Sequence, residues 1–235
     1  MGAPVGMALP GVVIAVAMIG DTLLYAVLPL YHEAFGVSLA MVGVLLSLNR
    51  WVRLVANSGA AALGERIGPK AMMVAAAIGS AVSTTVYGLV DSEAVQVVAR
   101  MMWGISYASL NLATLSYAVS DRANAGKRVG ASRAAIGVVQ AMSLVGGAWV
   151  ALQVGPRPTF LLLGGLTLVS LVAALMLPRL PRTPTEHKGF RLPVPHRLET
   201  WGFLLGFTSD GVFLLTLAFL MKDSITAVPP LLATA

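Results

Sequence analysis

Seven apolar stretches, each about as long as a bilayer-crossing helix, set the strongest limit on how this chain can fold. Only 11% of its 235 residues are charged, whereas roughly 25% are charged in an ordinary soluble domain. Together with a mean hydropathy of +0.82, this composition predicts an all-α integral membrane protein. We place the spans at Gly11–Tyr31, Leu39–Leu63, Ala71–Val90, Ala94–Ala118, Gly130–Leu152, Pro158–Leu177 and Trp201–Met221.

Basic residues gather in alternate links between these spans. If the N-terminus lies inside the cell, the inner links carry eleven Lys and Arg residues, and the outer links and tail carry two. Because loops on the cytoplasmic side are enriched in Lys and Arg, the asymmetry predicts a cytoplasmic N-terminus. We expect a multi-pass protein of a bacterial inner membrane. The charges lie between apolar runs and not on one basic face, so we expect no nucleic-acid partner despite a pI near 10.1.

Residues for metal, nucleotide or nucleophile chemistry are sparse in the sequence. The chain has no cysteine, and its three histidines lie at a helix end or in a link without neighbours at metal-ligand spacing. It contains no phosphate-binding glycine loop and no Ser-His-Asp set that could be placed in one pocket. We therefore expect no metal, no cofactor and no enzymatic activity.

The stretch ALGERIGPKAMM follows the second span directly. It resembles the cytoplasmic signature between helices two and three of the major facilitator superfamily. Glu65 falls on the acidic position, Arg66 on the basic position, Gly68 on the second glycine and Lys70 on the basic end. Ala61 occupies the position of the first glycine, and Glu replaces the usual Asp. The resemblance implies that Gly68 allows a tight turn and that the charged residues pair with the opposite half of a transporter.

A second family pattern, Arg followed four residues later by Gly in helix four, is matched by Arg100 and Gly104. The Gly-Pro ending of the antiporter pattern is absent from the fifth span. Family members have twelve helices in two bundles. The resemblance therefore implies a six-helix bundle at residues 1–177, a basic, Pro-rich cytoplasmic linker at 178–200 and the first helix of an incomplete second bundle at 201–235. Either the chain is truncated, or a second subunit supplies the missing half.

The stretch NRWVRLVANSG places Arg50 and Arg53 inside the second span. Ionisable residues within a membrane usually face a bundle interior or a water-filled path, and the third and sixth spans contain none in their interiors. At 1.5 Å rise per residue, Asp21 and Arg50 both lie roughly 15–16 Å from the outer ends of their spans, so we expect them to pair. In the family, helices one, two, four, five and seven line a central cavity. Our candidates for that cavity are Asp21, Tyr25, Arg50, Arg53, Asn57, Arg100, Tyr107, Asn111, Gln140 and Asp210.

The resulting functional hypothesis is a secondary transporter that moves a small solute by alternating access, with coupling to protons. Asp21 is the candidate proton or cation site, because a carboxylate can gain a proton whereas an arginine keeps its charge. Arg50 and Arg53 either regulate that site or bind an anionic group of the solute. The expected partners are the lipid bilayer, protons, the solute and the missing half. The alternative is a non-transporting membrane scaffold, or a half-transporter that acts through a partner.

Overall fold

The structure, a computed structural model, describes residues 3–180 together with residues 200, 201 and 204. All regular elements in this part of the chain are helical. The chain divides into two units, residues 1–188 and 189–235, and the described helices below belong to the first. They are α1 (Ala3–Ala17), α2 (Ile19–Tyr31), α3 (Leu39–Ile67), α4 (Pro69–Leu89), α5 (Glu93–Val119), α6 (Ala125–Met142), α7 (Ala148–Val154) and α8 (Pro156–Leu175).

These helices correspond to the first six predicted spans. The first span is α1 with α2, the fifth is α6 with α7, and the others are single helices. Within the described residues, five helical segments are long and apolar enough to cross a membrane. The remaining one, α5, has 27 residues and is long enough, but a polar stripe makes it less apolar. The predicted all-α membrane fold is confirmed, whereas most of the linker, most of the seventh span and Asp210 lie outside the described residues.

The helix α4 packs against α5 and α8 along most of its length. Its buried face consists largely of small side chains: Ala76, Ala77, Ser80, Ala81, Ser83 and Thr84. Small residues let helices approach closely in a membrane, where dispersion contacts replace the hydrophobic driving force. Gly164 of α8 shows how close the approach is, since a Cβ built there would overlap Thr85. The helices without interior charges are therefore the scaffold of this unit.

A Gly-Pro turn precedes each of α4 and α8, and the two turns lie at opposite ends of this helix pair. Gly68 ends α3 with φ +82° and ψ 159°, and Gly155 ends α7 with φ +89° and ψ 162°. Both values lie in a region that is essentially restricted to glycine. A proline follows each glycine and opens the next helix, where its fixed φ suits the first turn.

The basic residue after each proline ties its helix to the other. Lys70 at the start of α4 donates from Nζ to the Leu175 carbonyl near the end of α8, at 2.7 Å. Arg157 at the start of α8 donates to the carbonyls of Gly88 (3.2 Å) and Leu89 (2.8 Å) at the end of α4. Each cation thus satisfies carbonyls at a helix C-terminus, where the helix dipole is negative.

We predict that Gly68→Ala lowers the free energy of unfolding by about 1–3 kcal/mol, because alanine is strained at this backbone conformation. Gly59→Ala in the middle of α3 is the matched control. A Cβ at Gly59 meets no atom within 4 Å, and alanine favours a helix by up to about 1 kcal/mol over glycine. Unfolding of the two variants in detergent micelles measures the difference. Equal stability of the two variants would contradict the assignment.

The first and fifth spans are interrupted at positions that contact each other. Between α1 and α2, the Met18 amide donates to both Ile14 O (3.1 Å) and Ala15 O (3.2 Å). Between α6 and α7, Ser143–Gly147 forms a π-turn. The Ser143 hydroxyl donates to Ile19 O at 2.8 Å, so the π-turn supports the first turn of α2. The sequence predicts two continuous helices here, and each span is one helical segment with a local departure from α-helical geometry at this contact.

The link between α5 and α6 is held by Asp121. Its carboxylate accepts hydrogen bonds from Asn124 Nδ2 and Arg128 Nη2, both at 2.9 Å. Arg128 also donates from Nη1 to Tyr117 O at 3.2 Å, which ties the link to the end of α5. The bond from Asn124, and then the charge of Arg128, lower the pKa of Asp121 below its ordinary value.

Because the pKa of Asp121 is lower in the folded chain, its contribution is complete above the unfolded pKa and is lost as the pH falls through the folded value. We predict that amide hydrogen exchange at residues 120–124 speeds up in that acidic range once the intrinsic pH dependence of exchange is removed. In Asp121→Asn the acid-induced increase disappears. A wild-type profile identical to that of the variant would contradict the role of the carboxylate.

Candidate functional site

A buried ion pair joins α2 and α5 in the interior of the bundle. Asp21 lies in the first turn of α2 and is 7% exposed, and Arg100 in the second turn of α5 is 0% exposed. Arg100 Nη1 donates to Asp21 Oδ1. The same guanidinium donates from Nε to Leu45 O at 3.0 Å and from Nη2 to the Tyr25 hydroxyl at 3.3 Å. One arginine therefore connects α2, α3 and α5.

Tyr25 completes this network from α2, one turn after Asp21. Its hydroxyl donates to Leu46 O at 3.1 Å and lies 3.5 Å from Asn49 Oδ1. Its ring centroid is 5.4 Å from Cζ of Arg100, within cation–π range. The hydroxyl accepts from Arg100 and donates to α3, so both of its hydrogen-bonding capacities are used. Asn49 is buried on α3 beside this group.

The surroundings of the pair are apolar. Buried side chains that cluster on this side of the bundle include Leu23, Leu24, Leu45 and Ala99. A charge in such surroundings is costly unless it is paired and hydrogen-bonded. Removing one partner of a buried pair destabilises the fold by more than the intact pair stabilises it. Asp21 is therefore paired with a cation that also donates to a backbone carbonyl and to a tyrosine hydroxyl.

The expected pair between Asp21 and Arg50 is wrong, because Asp21 pairs with Arg100. Depth was estimated along the helix axes, but direction around the axis decides which side chains meet. Successive residues of an α-helix point about 100° apart, and on α3 the buried residue is Asn49 while Arg50 is exposed. Asn49 therefore lies beside the pair, and Asp21 does not pair with Arg50.

A second polar group lies further along α5. Tyr107 and Asn111 are half-buried on the stripe that begins at Arg100. Arg53 of α3 places Cζ 4.7 Å from the centroid of the Tyr107 ring. Arg133 of α6 donates from Nη2 to Asn111 Oδ1 at 3.4 Å. The face of α5 that carries Arg100, Tyr107 and Asn111 therefore takes part in two charged groups. One surrounds Arg100 in the first half of the helix, and the other surrounds Tyr107 and Asn111 in the second half.

The other candidate residues occupy more open positions. Asn57 is exposed on α3, and Gln140 is half-buried on α6. Glu65 and Arg66 are exposed at the end of α3. Glu65 lines a cavity of about 890 Å³ between the α3–α4 turn and the end of α5. Gly68 forms the turn between α3 and α4, and Lys70 bonds the start of α4 to the end of α8.

Metal-ligating side chains do not come together in this part of the protein. Within residues 3–180, no group of three His, Asp or Glu side chains is placed to hold a metal ion.

Sequence reasoning missed Asn49, Arg133 and the carbonyl of Leu45. Asn49 directly precedes Arg50 and stands out as a polar residue in an apolar run, which was a usable signal. We assigned Arg133 to an inner link, but α6 begins at Ala125, so this arginine lies on the third helical turn. No sequence signal marks the Leu45 carbonyl, because its contact with Arg100 depends on how α3 and α5 pack.

We predict that Arg100→Gln lowers stability by about 3–5 kcal/mol, since it leaves Asp21 buried without a cationic partner. The double variant Asp21→Asn with Arg100→Gln should be more stable than Arg100→Gln alone, because no charge then stays unpaired. Unfolding in detergent measures both, with the exposed Arg122→Gln as control. A double variant no more stable than Arg100→Gln alone would show that the pair is not what holds the site.

Comparison with known families gave a match over almost the whole chain. The family model described as Major Facilitator Superfamily matches residues 11–233. A comparison with curated proteins gave no match. The match includes the buried pair, the second polar group and both Gly-Pro turns.

Proposed function

The chain belongs to the major facilitator superfamily, a family of membrane transporters, and we propose that it moves a small solute by alternating access with coupling to protons. Membership makes it an integral, multi-pass membrane protein that carries a small molecule. The proposal has three further parts: the coupling ion is a proton, Asp21 is its binding site, and the cavity residues bind the solute.

The observation that carries the proton proposal is the Asp21–Arg100 pair. It is buried, it joins α2 to α5 and, through Leu45 O, to α3. Only one partner can change charge, because an arginine stays protonated in proteins whereas an aspartate can be neutralised. A proton that reaches Asp21 therefore removes one of the bonds that hold these three helices together.

The consequence of that step is a shift between two arrangements of the bundle. With Asp21 charged, Arg100 has an anionic partner and two neutral acceptors. With Asp21 protonated, the cation loses its anionic partner but keeps Leu45 O and the Tyr25 hydroxyl, so it can accept another anion. Two conformations that differ in their affinity for a proton are what coupling requires.

The solute site in this proposal lies along the polar face of α5 and the neighbouring faces of α3 and α6. Arg50, Arg53, Asn57, Tyr107, Asn111 and Gln140 are the candidate contacts. A bundle of this kind supplies one wall of a central cavity, and we propose that a C-terminal bundle or a second subunit supplies the other. The positive-inside asymmetry supports a cytoplasmic N-terminus and places the α3–α4 turn on the cytoplasmic side.

The coupling role is tested by Asp21→Asn in the full chain, reconstituted in liposomes that contain a pH-sensitive dye. Solutes from several classes are added under a pH gradient, and the one that moves protons with the wild type is then used. We expect proton-driven uptake by Asp21→Asn to fall by about tenfold or more, while exchange of solute without a gradient continues.

Asp91→Asn is the matched control for this experiment. Asp91 is also an aspartate with an arginine partner, Arg157, but its side chain is 66% exposed. We expect its proton flux to equal that of the wild type. Equal flux in Asp21→Asn would exclude Asp21 as the coupling site. A wild type that moves no solute of any class would count against transport itself and favour the scaffold alternative.

A further inference from the structure

Two arginines reach the same face of α5 from different helices. Arg53 comes from α3, with its guanidinium carbon 4.7 Å from the centre of the Tyr107 ring. Arg133 comes from α6, with Nη2 3.4 Å from Asn111 Oδ1. Both α3 and α6 pack against α5. The face of α5 between these two helices is therefore lined by an aromatic ring, an amide and two cations.

Neither arginine has an anionic partner among the residues that the structure describes. The ion pairs found there use Arg100, Arg128 and Arg157 instead. Arg53 has a ring contact and Arg133 a long bond to a neutral amide, so most of the five N–H donors on each guanidinium are unused by described residues. Arg53 is half-buried and Arg133 is exposed, so both are open to a ligand.

Two cations on one helix face match a ligand with two acidic groups. Tyr107 and Asn111, the residues that the two arginines contact, lie four residues apart on α5, about 6 Å along its axis. Because Arg53 and Arg133 contact different residues of that face, each can take one end of a short diacid. Arginine suits this role because its planar fork binds a carboxylate through two parallel hydrogen bonds.

We propose that Arg53 and Arg133 bind the two acidic groups of a short organic dianion, and that Tyr107 and Asn111 form the floor between them. This inference rests on the proposed transport function and names the substrate class of its cavity. The dianion site is distinct from the proton site, since Tyr107 follows Arg100 by seven residues, or about 10 Å along α5. The two sites share α5, so occupation of one is transmitted to the other through a single helix.

The proposal is tested by binding to the full chain in lipid nanodiscs at fixed pH and ionic strength, without any gradient. The probes are succinate, its monoamide and its diamide, which have nearly the same shape and carry two, one and no charges. We expect succinate to bind about tenfold or more tighter than the monoamide, and the monoamide tighter than the diamide, since each lost charge removes a charge-assisted contact. Equal affinity for the three probes would overturn the proposal.

Substitutions locate the site. Arg53→Gln and Arg133→Gln should each weaken succinate binding by about tenfold or more and remove the preference for succinate over its monoamide. Arg122→Gln, an exposed arginine in the link before α6, should leave both affinities unchanged. If Arg133→Gln keeps the preference for the diacid, Arg133 is not part of the site and the proposal fails.

A further variant distinguishes loss of the binding site from loss of folding. Asn111→Asp places a carboxylate beside Arg133 and occupies it without removing the cation, so the variant should stay folded while losing the preference for succinate. A folded Asn111→Asp that still prefers succinate would count against the site. Binding and coupling are also distinguished, because Asp21→Asn leaves both arginines in place, so the order of affinity among the three probes stays the same even where coupling changes their overall affinity. If succinate does not bind while another solute drives Asp21-dependent flux, the substrate class is wrong and the transport function stands.

Discussion

The ion pair between Asp21 and Arg100 is the interaction on which the arrangement of α2, α3 and α5 depends. An unpaired charge at this depth is costly, so each partner fixes the position of the other. Arg100 extends the constraint to α3 by donating to Leu45 O, and Tyr25 returns a bond from α2 to Leu46 O. Three helices are thus positioned by one cation and by backbone carbonyls that carry no sequence signal.

The rest of the unit divides into a rigid part and a part that contains interrupted helices. The rigid part is α4 with α8, which pack through small residues and are clamped at both ends by Lys70 and Arg157. The interrupted helices are the first and fifth spans, and they meet where Ser143 bonds Ile19 O. Asp21 lies two residues after that contact. Asp21 therefore lies beside the contact between these two spans, and its own partner lies on α5.

Sequence patterns were reliable for features that depend on local chemistry. Apolar length located the six spans described here, and the family resemblance marked Gly68 as the glycine of a tight turn, where it has a positive φ. Helical spacing also grouped Arg100, Tyr107 and Asn111 on one face of α5. Depth along the axis was a poor guide to pairing, since it matched Asp21 with Arg50 when the partner is Arg100. Axial position follows from counting residues, but rotation about the axis follows from how each helix packs.

The sequence by itself determined that this chain is a bundle of membrane helices, which of them carry charge, and where glycine must allow a turn. These follow from transfer of apolar residues into lipid and from backbone sterics, both of which act within a short stretch. Tertiary structure decided which charges meet, where two helices contact each other at local irregularities, and that Arg133 joins Arg53 on the face of α5. Those outcomes depend on contacts between residues far apart in the chain, because a buried charge selects its partner by direction and distance in the packed bundle.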